Sequence, residues 1–196
     1  MKTKRKTSDE RKTEALEAAQ QIIYEEGFYN LTIRKIAEKL NVSEAALYRH
    51  FNDKEDIIDK LTDLIFFEAC VIDKNDKNPI EIFKDFIYKQ AEKFEGNPYL
   101  SIISFQEDMF REYPNIKEKF TKHQKEREKE IINIINKGIE VGEIRRDINP
   151  SAFASIFMGS IRITVLKWKN NDFSYSLKEK LEEVNQELIN YLKGDN

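Results

Sequence analysis

The sequence predicts an all-α fold of about nine helices, and three observations predict it. Only six Gly and four Pro occur in 196 residues, against many Glu, Lys, Leu and Ile, a composition suited to helix throughout. Apolar residues recur at three- and four-residue spacing in most stretches between turn residues, as on the buried face of a helix. Helix-opening signals precede those stretches: Thr7 with Glu10, Asn78-Pro79, Asn97-Pro98 and Asn149-Pro150.

Residues 1–7 (MKTKRKT) form a basic tail, either a solvated terminus or an arm that touches phosphates or a minor groove. The capping box of Thr7 and Glu10 starts a helix over 8–26, with Leu16, Ala19, Ile22 and Ile23 inward, and Gly27 ends it. Phe28 and Leu31 then tuck the connection against a two-helix unit.

That unit is the stretch Leu31 to Lys54, LTIRKIAEKLNVSEAALYRHFNDK, which reads as two short helices with a tight turn. Thr32 is an N-cap, and Ile36, Ala37 and Leu40 give the first helix an apolar stripe. Asn41 stops it, because Asn readily takes the left-handed backbone that a helix C-terminus needs. Ser43 caps the second helix. There Ala46, Leu47 and Phe51 face inward, and Glu44, Ala45, Tyr48, Arg49 and His50 face outward. An outer face of small, aromatic, cationic and hydroxyl groups suits a DNA major groove. Ala45 and Ala46 let the backbone approach base edges, and Ser43, Tyr48 and His50 can donate to phosphates. Ala37 lets the two helix axes cross closely, which completes a helix-turn-helix pattern.

At these residues the sequence resembles a known family. Thr32-x-Arg34-x-Ile36-Ala37, then Val42-Ser43, then Leu47-Tyr48-Arg49-His50-Phe51 and Lys54 resemble the DNA-binding signature of the TetR family of bacterial regulators. The family usually has Gly where Asn41 stands, and Asn holds the same backbone. The resemblance implies that Arg34, Glu44, Ala45 and Ala46 face bases, and that Thr32, Ser43, Tyr48, His50 and Lys54 contact phosphates. Arg49 either reaches the DNA backbone or pairs with an acid such as Asp53.

The overall charge of −3 looks wrong for a DNA binder. Its distribution does not: residues 1–52 carry a net +2 and residues 53–196 a net −5. A basic DNA-facing end sits on an acidic body, so binding should rest on a specific dimer docking and weaken as salt rises. Cys70 is the only cysteine and His50 and His123 the only histidines, which excludes a disulfide framework and a Cys/His zinc site within one chain. Neither a Gly-rich phosphate loop nor a nucleophile-and-base motif is present, so no catalytic residue, metal or cofactor is expected. A soluble cytoplasmic protein is expected, since no stretch of 18 apolar residues and no signal peptide occurs.

Residues 1–52 are expected to form the DNA-binding domain and 53–196 a ligand-binding and dimerisation domain, with a helix over 53–73 linking them. Its apolar face is Ile57, Ile58, Leu61, Leu64, Ile65 and Ala69, and movement at its far end would re-aim the recognition helix. Polar residues 73–78 break the chain. Helices are expected over 79–95, from Pro98, from Pro114 to about Glu140, over 150–170 and over 177–192. The polar stretch TKHQKEREKE (121–130) reads as a solvent-exposed face.

The helix over 150–170 is apolar around most of its circumference, and Gly159 and Ser160 would let another helix approach closely. Leu177, Leu181, Val184, Leu188 and Tyr191 come next at spacings of 4, 3, 4 and 3, a seam for partner packing. The expected dimer interface is Gly159, Ile163, Leu177, Leu181, Val184 and Leu188, as the resemblance to the TetR family implies; the alternative is that both helices only complete a monomer's core. Recognition helices about one DNA turn apart would then read an inverted repeat. The aromatics Phe66, Phe83, Phe86, Tyr99, Phe105, Phe110, Phe153 and Phe157 are expected either to line an apolar effector cavity or to form ordinary core. No cationic lining is foreseen, and the expected effector is apolar. The resulting reading is a ligand-responsive repressor acting as a homodimer on double-stranded DNA, with no membrane partner. The alternative is a DNA-binding adaptor that acts on another protein, as a nucleoid-occlusion factor does.

Overall fold

A computed structural model of the chain describes residues 7–67, 78–104 and 110–194. They contain nine α-helices: α1 (Ser8–Glu26), α2 (Ile33–Leu40), α3 (Glu44–Leu47), α4 (Lys54–Phe67), α5 (Pro79–Gly96), α6 (Pro98–Ile103), α7 (Pro114–Glu140), α8 (Pro150–Asn170) and α9 (Leu177–Lys193). The far end of the linking helix, Cys70 and Phe105 lie outside the described residues.

The helix ends follow from the residues that occupy them. Thr7 and Glu10 form the capping box of α1, and Gly27 closes that helix at φ 87°, a backbone that costs only Gly nothing. A 3-10 turn over Phe28–Asn30 then leads to Thr32, whose side chain accepts from Lys35 N at the start of α2. Asn41 ends α2 in the left-handed region at φ 52°, ψ 47°, and Ser43 caps α3 by accepting from Ala46 N. The recognition helix is shorter than its pattern suggests, because the chain passes into turns over 48–50 before Phe51. A reciprocal cap opens α4: Asp56 N donates to Asp53 Oδ1 at 2.8 Å, and Asn52 N donates to Asp56 Oδ2 at 3.0 Å.

Two apolar cores result. The first joins α1, α2 and α3 through Leu16, Ile22, Ile36 and Leu47 to Phe51, and continues without a break into α4 (Ile57, Ile58, Leu61, Ile65, Phe66), α6 (Leu100, Ile103), Phe110 and the start of α7 (Ile116, Phe120). The second joins α5, the far half of α7, α8 and α9. The described part of the linking helix thus lies in the core that the head shares with α6 and the start of α7, and α7 belongs to both cores. Aromatic rings also bridge head and body. Tyr24 of α1 lies 5.2 Å from Tyr99 of α6 and 5.7 Å from Phe173 of the α8–α9 turn. Phe173 holds φ 58° beside Asp172 at φ 51°, a conformation that non-glycine residues adopt at a cost. Its ring rests on Trp168 at 4.7 Å.

Candidate nucleic-acid interface and effector cavity

The two hydroxyl caps of the head face outward. Thr32 Oγ1 accepts from Lys35 N at 3.1 Å and Ser43 Oγ from Ala46 N at 3.2 Å, yet each hydroxyl still has its own hydrogen to donate to a phosphate. Arg34, Glu44 and Ala45 are exposed on the same side and Ala46 is half-buried. Arg34 Nε lies 2.8 Å from Glu38 Oε1, and Glu38, then Glu44, raise its pKa. Both partners stand in solvent, so the pair is weak and the guanidinium is free to turn toward a base.

Other cations of the head are committed elsewhere. Lys35 reaches Glu26 at 2.5 Å and Lys39 reaches Glu25 at 3.0 Å, which braces α2 against α1. Tyr48 is 54% exposed, so its phenol is available to a phosphate. Arg49 is exposed as well. His50 is half-buried, with Nδ1 3.2 Å from Ser8 Oγ, a contact that does not engage Nε2. Lys54 Nζ lies over the Phe28 ring at 4.9 Å. Burial pulls its pKa down and Glu112 pulls it up. Its stem is thus held by the head while its charge stands at the start of α4.

A cavity of about 420 Å³ lies where the two cores meet. Ile65 and Phe66 of α4 and Phe120 of α7 come from the first core; Phe86 and Phe94 of α5 and Ile161 of α8 come from the second. Gln90 of α5, Ser104 just after α6, Thr121, Gln124, Lys125, Arg127 and Glu128 of α7, and Ser155, Met158, Gly159 and Arg162 of α8 complete the wall. Arg127 lies 5.6 Å from the Phe66 ring and 5.8 Å from the Phe86 ring. The expectation of no cationic lining is corrected by Lys125, Arg127 and Arg162. Two of these come from the 121–130 stretch, which winds around α7 and turns Arg127 toward the rings. His123, expected either as a surface residue or as a polar contact in the cavity, stacks on Phe66 at 4.6 Å and lies 3.4 Å from Glu126.

Of the aromatics assigned to a cavity, Phe66 and Phe86 line it. Phe83, Phe153 and Phe157 pack on one another in the second core, with Phe83 and Phe157 5.0 Å apart. Phe110 packs on Phe120 in the first core at 5.1 Å, and Tyr99 belongs to the Tyr24–Phe173 cluster. Phe105 lies outside the described residues. Sequence reasoning passes over Phe94, Phe120 and Gln90, although Phe86, Gln90 and Phe94 stand at i, i+4 and i+8 on one face of α5.

On the outer side of α8, Ile156 (54% exposed), Gly159 and Ile163 (52%) form an open stripe, and Val184, Leu188 and Tyr191 of α9 are half-buried or exposed. Leu177 and Leu181 are expected on the same seam, but both are 0% exposed and belong to the chain's own second core. Among the described residues no helix is long and apolar enough to cross a membrane, and no group of three or more His, Cys, Asp or Glu is gathered as a metal site would require.

Comparison with known proteins agrees with this layout. A family model for bacterial regulatory proteins of the tetR family matches residues 15–61, and one for the C-terminal region of YsiA-like proteins matches residues 59–191. The fatty acid metabolism regulator protein of Bacillus subtilis is 26% identical over 180 residues, covering 89% of this chain and 91% of its own. The structure of the ketosteroid transcriptional regulator KstR2 of Mycobacterium tuberculosis superposes with a TM-score of 0.80 at 20% identity, over 94% of this chain and 96% of that one. FadR from Bacillus subtilis in complex with stearoyl-CoA superposes with a TM-score of 0.74 at 23% identity, over 91% and 98%. At these identities the superpositions establish the fold, and the two family models span the head and the body in turn. The chain belongs to the tetR family of bacterial regulatory proteins, DNA-binding regulators of transcription.

Proposed function

We propose that this protein is a repressor that binds an inverted-repeat operator as a homodimer and leaves it when an amphipathic ligand with a long apolar chain and an anionic head enters the cavity. A long-chain acyl-CoA is the ligand class that fits best. The observation that carries the reading is the placement of the cavity between the two cores. Its phenyl rings suit an acyl chain, and Lys125, Arg127 and Arg162 suit phosphates. The stearoyl-CoA complex of the structurally similar FadR supports the ligand class, and the relation to KstR2, a transcriptional repressor 25% identical over 144 residues, supports repression.

The transmission route follows from the packing. Ile65 and Phe66 of α4 form one wall, and Lys93 of α5 donates to Leu64 O at 2.7 Å and Ile65 O at 3.0 Å, tying that end of α4 to the body. The other end is capped by Asn52, Asp53 and Asp56, directly after the recognition segment. A ligand that forces Phe66 away from Phe94 turns α4, and α4 carries the head with it through the shared core. The stripe of Ile156, Gly159 and Ile163 on α8, with Val184 and Leu188 on α9, is the dimer face. The cavity favours this reading over an adaptor that acts on another protein. Such a regulator works in the cytoplasm, where its DNA lies.

Selection of bound sequences from random duplex DNA, at a fixed near-physiological salt concentration, tests the reading. A single inverted repeat is expected. Asymmetric sites, or no enrichment, would remove the dimeric repressor from consideration.

A further inference from the structure

The seam between head and body carries two costs, and the first is on α1. Gln20 and Tyr24 stand four residues apart, so they share one face of that helix. Tyr24 meets Tyr99 of α6 at 5.2 Å and Phe173 of the α8–α9 turn at 5.7 Å, and Gln20 and Tyr99 border the same cleft between α1 and α6. Gln20 is 1% exposed, and neither its Nε2 nor its Oε1 has a hydrogen-bond partner among the described residues. An amide buried with both ends unpaired penalises the arrangement that buries it.

The second cost is in the turn. Phe173 N donates to Trp168 O at 3.0 Å and Asp172 N to Lys169 O at 2.9 Å, which closes α8 as a Schellman motif, and the Phe173 ring on Trp168 is the apolar contact that accompanies such an end. The motif accounts for the left-handed Asp172. It does not require Phe173 to be left-handed as well, yet Phe173 holds φ 58°, where a bulky residue is an outlier. In that conformation its ring touches Tyr24, Tyr99 and Trp168 together. The ring contacts offset the strain only while α1 stays docked.

We propose that Gln20, Tyr24 and Phe173 form a poised latch: the ring contacts hold the head in its operator-binding orientation, and the unpaired amide and strained turn keep that hold weak enough for a ligand in the cavity to break. The proposal rests on the ligand-release reading above and adds the contact that resists the movement. When α1 swings away, the Gln20 amide gains water and the turn relaxes. None of the three residues lines the effector cavity, so substitutions there reach the ligand through the position of the head.

The test is calorimetric binding of stearoyl-CoA to the full-length protein. Loss of a ring contact favours the open form that takes ligand, so Y24A should bind about fivefold more tightly than the wild type even though its urea midpoint falls. Y24L should shift the same way and secures the test should Y24A fold poorly. Q20L removes the penalty on the docked form, so it should bind about tenfold more weakly and melt no lower than the wild type. A merely structural role would lower stability and leave ligand affinity alone. Unchanged affinity in Q20L or in the folded Tyr24 variants, or shifts of the opposite sign, would overturn the latch while leaving the acyl-CoA reading in place. If stearoyl-CoA does not bind the wild type, that reading falls, and amide hydrogen exchange decides the latch. The selected operator should slow exchange of the turn over 171–175 in the wild type and not in the folded Tyr24 variants; a turn that the operator leaves unchanged in the wild type would overturn the latch as well.

Discussion

Asn41 is where the geometry of the head can be tested in numbers. It ends α2 at φ 52°, ψ 47° and lets Val42 N return to Ala37 O at 3.0 Å, which sets the angle between α2 and α3. An L-residue in this region costs about 1–2 kcal/mol, and Asn is among the few that bear it routinely. Asn41→Val puts a β-branched side chain where it meets the backbone, for a loss of about 2 kcal/mol. Because α4 and α6 share the head's core, that loss should appear as a lower urea midpoint with an unchanged slope, followed by far-UV circular dichroism. Asn41→Gly relieves the remaining strain but gives the unfolded chain extra freedom worth roughly 0.5–1 kcal/mol, so it should lie within about 0.5 kcal/mol of the wild type. Operator affinity should fall for the Val variant and hold for Gly. A Val variant as stable as the Gly variant would refute the left-handed turn on which the recognition helix depends.

Other consequences are as specific. Arg34→Ala should relax the base preference at one or two positions of each half-site, whereas Lys54→Ala should weaken all sequences alike and flatten the salt dependence; identical behaviour of the two in binding assays across salt would contradict the roles given to them. Gly138→Ala would place a Cβ 2.5 Å from Ile144 Cδ1 and 2.7 Å from its Cγ1. Overpacking of about 1–3 kcal/mol should exceed the helix-propensity gain of about 1 kcal/mol, lowering the urea midpoint. At Asp56, partial burial opposes ionisation, but the Asn52 N–H and Lys60 outweigh it and hold the carboxyl below its ordinary pKa. A depressed folded pKa gives stability that is present above the unfolded value and lost as pH falls through the folded one. Asp56→Asn should therefore cost about 1 kcal/mol at neutral pH and nothing in strong acid, where both proteins carry a neutral side chain.

The head was legible because its signals are local. Thr7 with Glu10, Thr32, Asn41 and Ser43 each act on backbone groups within a few residues, and each occupies the expected cap. Pro114 and Pro150 likewise fixed the starts of α7 and α8. The cavity was much less legible, since it depends on which helix faces meet. Phe83 and Phe86 are both apolar on α5, yet only Phe86 reaches the cavity. The seam on α9 shows the same limit in another form. The buried face of α9 is centred on Leu181, Asn185 and Leu192, so the seam runs along its edge: Leu177 and Leu181 are buried in the chain's own core, Leu188 packs partly against it, and Val184 and Tyr191 stay half-buried or exposed. Gln90 interrupts an apolar stripe and reads in sequence as a simple imperfection, until burial shows its amide short of a partner.

Filling the cavity between the two cores should move the head off DNA. The most direct measurement is fluorescence anisotropy of the selected operator bound to the protein, titrated with stearoyl-CoA at constant salt. Saturable release at a ligand concentration that matches the calorimetric affinity is the predicted result. Stearoyl-CoA that binds the protein and leaves the operator fully bound would rule out release through the cavity.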